Sequence, residues 1–214
     1  MKINYDKEME KIIDAIKKNK EKNEKSKLLI QSCCAPCSAA ILEYLREFFE
    51  ITIYFYNPNI TFEEEYKLRL EEQKHYDKQL GYDMTIIGGE YNPKKDFFQK
   101  VIGLEKEPEG GKRCYECYHL RMEATAIKAK ELGFDYFTTA LSISPMKNSQ
   151  WINEIGKELE ERHEVKFLFG DFKKRSRYLR SVQLTKEHNL YRQDYCGCVF
   201  SIRTNKDRSE ETNE

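Results

Sequence analysis

Residues 27–49 read KLLIQSCCAPCSAAILEYLREFF. The run KLLIQS (27–32) is short and apolar, as a strand buried on both faces requires, and SAAILEYLREFF (38–49) has the composition of a helix. Between them lies the place where a nucleotide-binding fold would carry a glycine-rich phosphate loop. This chain has thiols there instead: Cys33, Cys34 and Cys37. Working outward, ITIYFYN (51–57) is β-branched and aromatic, a second strand ending in Asn57-Pro58-Asn59. FEEEYKLRLEEQKHYDKQLG (62–81) is a charged helix stopped by Gly81. The pattern continues as a strand over 83–89, a helix over 92–103 and a loop over 105–113. A helix over 115–132 follows, with Leu120, Ala124, Ile127 and Leu132 near one face. Then come strands at 134–141 and 165–170, separated by a helix over 149–162, and a last helix over 175–190.

Strands alternating with helices predict an α/β fold in which helices cover both faces of a parallel sheet. Such sheets place ligands beyond the carboxyl ends of their strands. Upstream, Met9, Ile12, Ile13 and Ile16 have helical spacing and predict a short amphipathic helix over 8–17. The lysine-rich stretch from Lys17 to Lys27 reads as a solvated linker. The expected organisation is an N-terminal helix and linker (1–26), one α/β catalytic domain (27–202) and a disordered polar tail (203–214).

The chain has 37 basic and 37 acidic residues, so any contact with nucleic acid must come from a local patch. No apolar run is long enough to span a membrane, and the N-terminus lacks the features of a signal peptide, so the expectation is a cytoplasmic protein with no membrane partner. In that compartment structural disulfides are rare, and clustered cysteines point to metal or redox chemistry. All seven cysteines have close neighbours: Cys33, Cys34 and Cys37; Cys114 and Cys117; Cys196 and Cys198. Cysteines kept for packing would scatter.

Each group has two readings. Cys33 to Cys37 spans a strand–helix junction, where helix N–H groups favour thiolate. It suits metal ligation, or a redox pair with the Cys-x-x-Cys spacing of Cys34 and Cys37. Cys114 and Cys117, three apart at a helix start, share a face and can reach one metal or cluster. With His119 they would instead suggest a structural zinc site. Cys196-Gly197-Cys198 would close into a small, easily reduced ring, which fits a working redox couple or a metal site. An iron–sulfur cluster commonly takes four thiolates. Cys33, Cys34, Cys114 and Cys117 would fill it, Cys196 and Cys198 would be the couple, and Cys37 remains over.

SCCAPCS (32–38), FYNPNI (55–60), the acidic helix with Tyr66 and Arg69, RCYECYHLR (113–121), FTTALSISPMKN (137–148) and FKKRSRYLRSVQLTKEHNLYRQDYCGC (172–198) together resemble the QueH family, the cobalamin-independent epoxyqueuosine reductases. The resemblance covers about residues 27–202. It implies a Rossmann-like unit similar to adenine nucleotide α-hydrolases, with cysteines in place of the phosphate loop. The implied reaction is reduction of epoxyqueuosine to queuosine at the tRNA wobble position. The implied cofactor is a [4Fe-4S] cluster on Cys33, Cys34, Cys114 and Cys117, with Cys196 and Cys198 as a redox-active pair. An additional iron ion near Cys37 and an unidentified electron donor are also implied. The alternatives are a zinc-stabilised RNA-binding module and a metal-free thiol oxidoreductase.

Deoxygenating an epoxide to an alkene consumes two electrons and two protons and releases water. The sequence offers Tyr195, Asp194 and Tyr118 as proton donors to the leaving oxygen. For RNA it offers Lys173, Lys174, Arg175, Arg177 and Arg180 as a basic stretch, and Tyr54, Tyr56 and Tyr191 as stacking platforms.

Overall fold

A computed structural model describes residues 3–18 and 25–202. Five strands form one sheet: β1 (Ser26–Gln31), β2 (Phe49–Phe55), β3 (Thr85–Gly88), β4 (Tyr136–Thr139) and β5 (Lys166–Phe167). All neighbouring pairs are parallel, in the order β3-β2-β1-β4-β5. Six α-helices accompany them among the described residues: α1 (Tyr5–Lys18), α2 (Ala35–Leu45), α3 (Glu63–Gln79), α4 (Lys112–Glu131), α5 (Ser149–His163) and α6 (Arg177–Glu187). The predicted α/β class is therefore the observed one.

The central strand explains the two layers. Leu28, Leu29 and Ile30 are all fully buried, and the strand period of two sends them to opposite faces. Leu28 and Ile30 pack with Met9 and Ile13 of α1 and Ile41, Leu42 and Leu45 of α2. Leu29 packs with Met122, Ala126 and Ala129 of α4 and Ile152, Ile155 and Leu159 of α5. Helix α1 thus shares the core of the α/β domain. Most of the expected linker (19–24) and the expected tail (203–214) lie outside the described residues.

Boundaries differ where local chemistry overrides pattern. Helix α2 begins at Ala35, three residues before its apolar run, because Pro36 fits a helix's first turn. Helix α6 starts only at Arg177, after Arg175 and Ser176 with positive φ. The helix expected over 92–103 is observed over 94–100, with a widened turn at Lys94–Phe98 in which the Phe98 amide donates to the Pro93 carbonyl at 2.9 Å. That turn brings Phe97 and Val101 together against Cys117 and Cys198.

Strand order reverses between β1 and β4, and this switch point opens a crevice at the carboxyl edge of the sheet. The segment after β1 carries Cys33, Cys34 and Cys37. The segment after β4 is a 3-10 turn, Ala140–Ile143, leading to Lys147. Helix α5 is locked onto the sheet beside it, since a Cβ at Gly156 would come within 2.3 Å of the Phe167 ring. Alanine would gain about 1 kcal/mol of helix propensity over glycine. Overpacking a buried ring costs about 1–3 kcal/mol. Gly156→Ala should therefore be destabilised by about 1 kcal/mol, seen as a lower urea midpoint with an unchanged slope.

Candidate metal and redox centre

Buried polar side chains tie the strand ends to α4. Thr139 at the end of β4 donates its hydroxyl to Gln31 Oε1 at 2.8 Å. Gln31 Nε2 donates to Asn57 Oδ1 at 2.8 Å, and the same oxygen accepts from Arg121 at 3.3 Å. Asn57 Nδ2 donates to the Ser32 carbonyl at 2.7 Å, next to the first cysteine. From the other side, the Ser32 and Ser38 hydroxyls both donate to Gln73 Oε1 at 2.9 Å. The strand–cysteine–helix junction is therefore held from two directions before any sulfur contact is considered.

The sulfurs of Cys33, Cys34 and Cys37 all lie within 4.8 Å of one another. Hydrogen bonds from Cys34 and Cys37, with Arg121 and Arg69 nearby, hold the Cys33 thiol well below its ordinary range despite burial. Burial and the proximity of Cys33 push Cys34 up to about 12. Cys37 is raised by its hydrogen bonds to Cys33 and Cys34 and by burial. The trio titrates as a unit, its first proton leaving readily and the others held. Gln193 Nε2 donates to Cys34 Sγ at 3.2 Å. Sequence spacing left Cys37 over; the structure groups it with Cys33 and Cys34.

Cys114 and Cys117 project from the first two turns of α4. The Gly110 amide donates to Cys114 Sγ at 3.2 Å. Buried Arg113 fixes the preceding loop by donating to the carbonyls of Leu104 (3.2 Å), Glu105 (3.0 Å) and Glu107. Burial pushes the Cys117 thiol up to about 12, with Arg121 opposing and Cys196, Cys198 and Cys114 adding repulsion. These four thiols thus form a second neighbourhood beside the trio. Among the described residues, no group of three or more metal-type ligands as tight as the trio includes Cys114 or Cys117.

Three buried cations serve both neighbourhoods. Arg121, one turn beyond Cys117, is 1% exposed and has no carboxylate partner among the described residues. Burial opposes its charge, but Cys117, Cys33 and Cys196 more than offset that and keep it protonated. Arg69 pairs with Glu65 at 2.6 Å and donates to the carbonyls of Cys196 (3.1 Å) and Tyr195 (3.3 Å), fixing the last cysteine loop. Lys147 Nζ lies 3.2 Å from Cys196 Sγ and 3.5 Å from Glu109. Cys196 and Cys198 are both free thiols. Gly197 between them has φ +107°, and a Cβ there would come within 2.9 Å of Ile60 and 3.2 Å of Arg69.

A pocket of about 240 Å³ opens over this assembly. Cys33, Cys37 and Cys196 line it with Lys147, Arg192 and Tyr195. Of the proton-donor candidates, Asp194 and Tyr195 lie on its wall and Tyr118 does not. Tyr118 is buried behind Lys147, whose Nζ is 6.0 Å from its ring centre, and its hydroxyl has no partner among the described residues. His119 faces Glu123 and Glu158 at 3.5 and 3.4 Å, away from the sulfurs. Lys147 was missed in the sequence, because nothing local connects it to Cys196, 49 residues away.

Four of the five residues of the basic stretch are ion-paired within the chain, while Lys174 and Arg175 stay exposed. Lys173 pairs with Asp171 (3.0 Å), Arg175 with Asp6 (2.8 Å), Arg177 with Asp6, and Arg180 with Glu43 (2.7 Å) and Glu187 (3.1 Å). Tyr54 and Tyr56 are buried and stacked on each other, centroids 5.9 Å apart, so they pack the core and offer no open face. Tyr191 is exposed at the surface and donates its hydroxyl to Glu65.

A family model described as "Epoxyqueuosine reductase QueH" matches residues 28–204. The chain belongs to the QueH family. Relatives named epoxyqueuosine reductase QueH include one from Staphylococcus epidermidis, 44% identical over 94% of this chain and 85% of its own length. Another, from Streptococcus pyogenes serotype M1, is 43% identical over 94% and 79%. One from Thermotoga maritima is 37% identical over 86% and 94%. The QueH match begins inside β1 and runs through the last cysteine loop, so it contains every cysteine placed above.

Two outcomes follow from this geometry. Gly197→Ala forces a left-handed backbone on a residue with a Cβ and pushes that Cβ into Ile60, so it should cost about 1–3 kcal/mol by denaturation. In the metal-free reduced protein Cys196, half-buried beside an ammonium, should alkylate before Cys198. Burial lifts the Cys198 thiol to about 11, so its modification should accelerate only as pH rises toward that value. Peptide mass spectrometry after timed alkylation reads the order, and equal rates at neutral pH would refute it.

Proposed function

We propose that this chain is an iron–sulfur reductase that converts epoxyqueuosine to queuosine at the wobble position of tRNA, a cytoplasmic reaction. One observation carries the reading beyond family membership. Three free thiols, Cys33, Cys37 and Cys196, line one pocket with buried Arg121 and Lys147, at the switch point of a parallel sheet. A fully buried guanidinium with no carboxylate partner needs anions around it, and thiolates are the anions available.

The residues fit a metallocofactor. The donor set is sulfur alone, the type that suits iron–sulfur clusters, and three sulfurs are already gathered. We assign Cys33, Cys34, Cys114 and Cys117 as the [4Fe-4S] ligands, with Cys37 available to an additional iron. When bound, these groups supply single-electron transfer and a Lewis-acidic site for oxygen.

The chain's own residues account for the rest. Oxidation of Cys196 and Cys198 to a disulfide releases two electrons and two protons, which matches reduction of an epoxide to an alkene and water. An outside electron donor then resets the disulfide. Lys147 holds a proton at Nζ on the pocket wall. Burial works against its charge, but Cys196, Tyr118 and Glu109 raise its pKa overall, so it stays an ammonium and can protonate the leaving oxygen. Tyr195 lines the same wall and is placed to orient the substrate.

Protein prepared without oxygen should be brown and contain iron and sulfide. Cys114→Ala or Cys117→Ala should lose most of that iron. Full zinc occupancy without iron would overturn the assignment in favour of a zinc-stabilised binding module. Cys198→Ser should retain iron yet fail to turn over repeatedly, as read by nucleoside analysis of tRNA carrying epoxyqueuosine. Disulfide reduction by iron-free protein would instead support a simple thiol oxidoreductase.

A further inference from the structure

The structure assigns the docking of the RNA backbone to the rim of this pocket, and we propose Arg192, held by Tyr178, as the side chain that takes the phosphate beside the reacting nucleotide. The proposal rests on the functional reading above and names where its macromolecular substrate is gripped.

Charge sorting carries the argument. The chain has no net charge, so affinity for a polyanion must come from placed cations. Three basic residues line the pocket: Arg121, Lys147 and Arg192. Arg121 is sealed among the thiols, and Lys147 is buried between Cys196 and Glu109. Arg192 is exposed, and its guanidinium donates to a neutral phenol, Tyr178 Oη, at 3.4 Å. It makes no ion pair with a carboxylate among the described residues. The arginines of the 173–180 stretch differ, since every one is matched to a carboxylate.

Position agrees with charge. Arg192 is four residues before Cys196, and both lie on the wall of the same pocket. A nucleotide whose base enters the pocket leaves its phosphate outside, at the mouth. Asp194 and Glu109, both exposed, are the two carboxylates of the wall, and the buried cations are already matched, so a phosphate is not drawn inward. Arginine's planar fork suits phosphate oxygens, and the bond from Tyr178 restrains that fork before the ligand arrives. Met146 stands exposed on the same wall and adds an apolar surface for a base.

The experiment measures binding of the anaerobically prepared holoenzyme to tRNA carrying epoxyqueuosine at several salt concentrations. Arg192→Ala should weaken binding by about tenfold at low salt and reduce the slope of log K against log salt by about one. Its KM should rise while kcat stays near the wild-type value, with iron content and thermal midpoint unchanged. Arg192→Lys should restore part of the affinity. Arg180→Ala, which removes a paired surface arginine, should leave the salt slope unchanged. A wild-type slope in Arg192→Ala, or an equal loss in Arg180→Ala, overturns the proposal. Wild-type holoenzyme with no salt-dependent affinity for tRNA overturns the functional reading itself, which separates the two failures.

Discussion

The burial of Arg121 without a carboxylate is the constraint on which the centre depends. Stripping water from a guanidinium costs several kcal/mol even after relaxation, and only nearby negative charge offsets it. Among the described residues that charge comes chiefly from cysteine sulfur, Cys117, Cys33 and Cys196, with Asn57 Oδ1 and the Cys117 carbonyl completing part of the hydrogen bonding. Arg121 and the cysteines therefore stabilise each other. The arginine favours deprotonated sulfur, and deprotonated sulfur makes the buried arginine tolerable. Neither half is comfortable alone, which is why the polar belt from Thr139 through Gln31 to Asn57 fixes the position of the arginine so fully.

Helix termini supply the second part of the same electrostatic design. Helix α3 opens with Glu63, Glu64 and Glu65, side chains that neutralise its own positive end. Helices α2, α4, α5 and α6 carry no acidic residue in their first turns. Two of these, α2 and α4, begin beside Cys34 and Cys37, and Cys114 and Cys117. Their partial positive charge is left for sulfur, as a phosphate-binding fold leaves it for phosphate. The switch point of this parallel sheet, where a nucleotide-binding fold would hold a ligand's phosphate, holds the protein's own sulfurs.

How far this was legible follows from the range of each interaction. KLLIQS and the strand–helix alternation are local patterns, and they led to the parallel sheet. The pairing of cysteines along the chain led to a metal or redox centre. Arg121 stands within RCYECYHLR, yet its role depends on Asn57, 64 residues away, and on sulfurs from other elements. Lys147 and Arg192 stand within FTTALSISPMKN and the YRQDYCGC segment, but nothing local shows their roles, since one matters through its contact with Cys196 and the other through its place at the pocket rim. The basic stretch shows the same effect of range. Its arginines look free in the sequence, but Arg175 and Arg177 find Asp6 at separations of 169 and 171 residues. Cys37 was left over by counting to four, whereas a helix start folds it back onto Cys33 and Cys34.

Those long-range ion pairs also bear on how a protein without net charge handles RNA. Asp6 and Glu10 of α1 draw Arg175 and Arg177 inward, so the pairs fasten the N-terminal helix near the start of α6. A positive surface is thereby converted into a structural clamp, and its cost in phosphate affinity is accepted. Each phosphate contact contributes its own share of counterion release, so a cation paired within the chain adds less to attraction for RNA. Under the proposed function, discrimination would fall to the pocket, whose walls carry Cys33, Cys37 and Cys196. A modified nucleoside that occurs at one position of a few RNAs is better sought by such a surface than by a strongly basic one. Weak attraction to every phosphate leaves the enzyme free to leave the wrong ones.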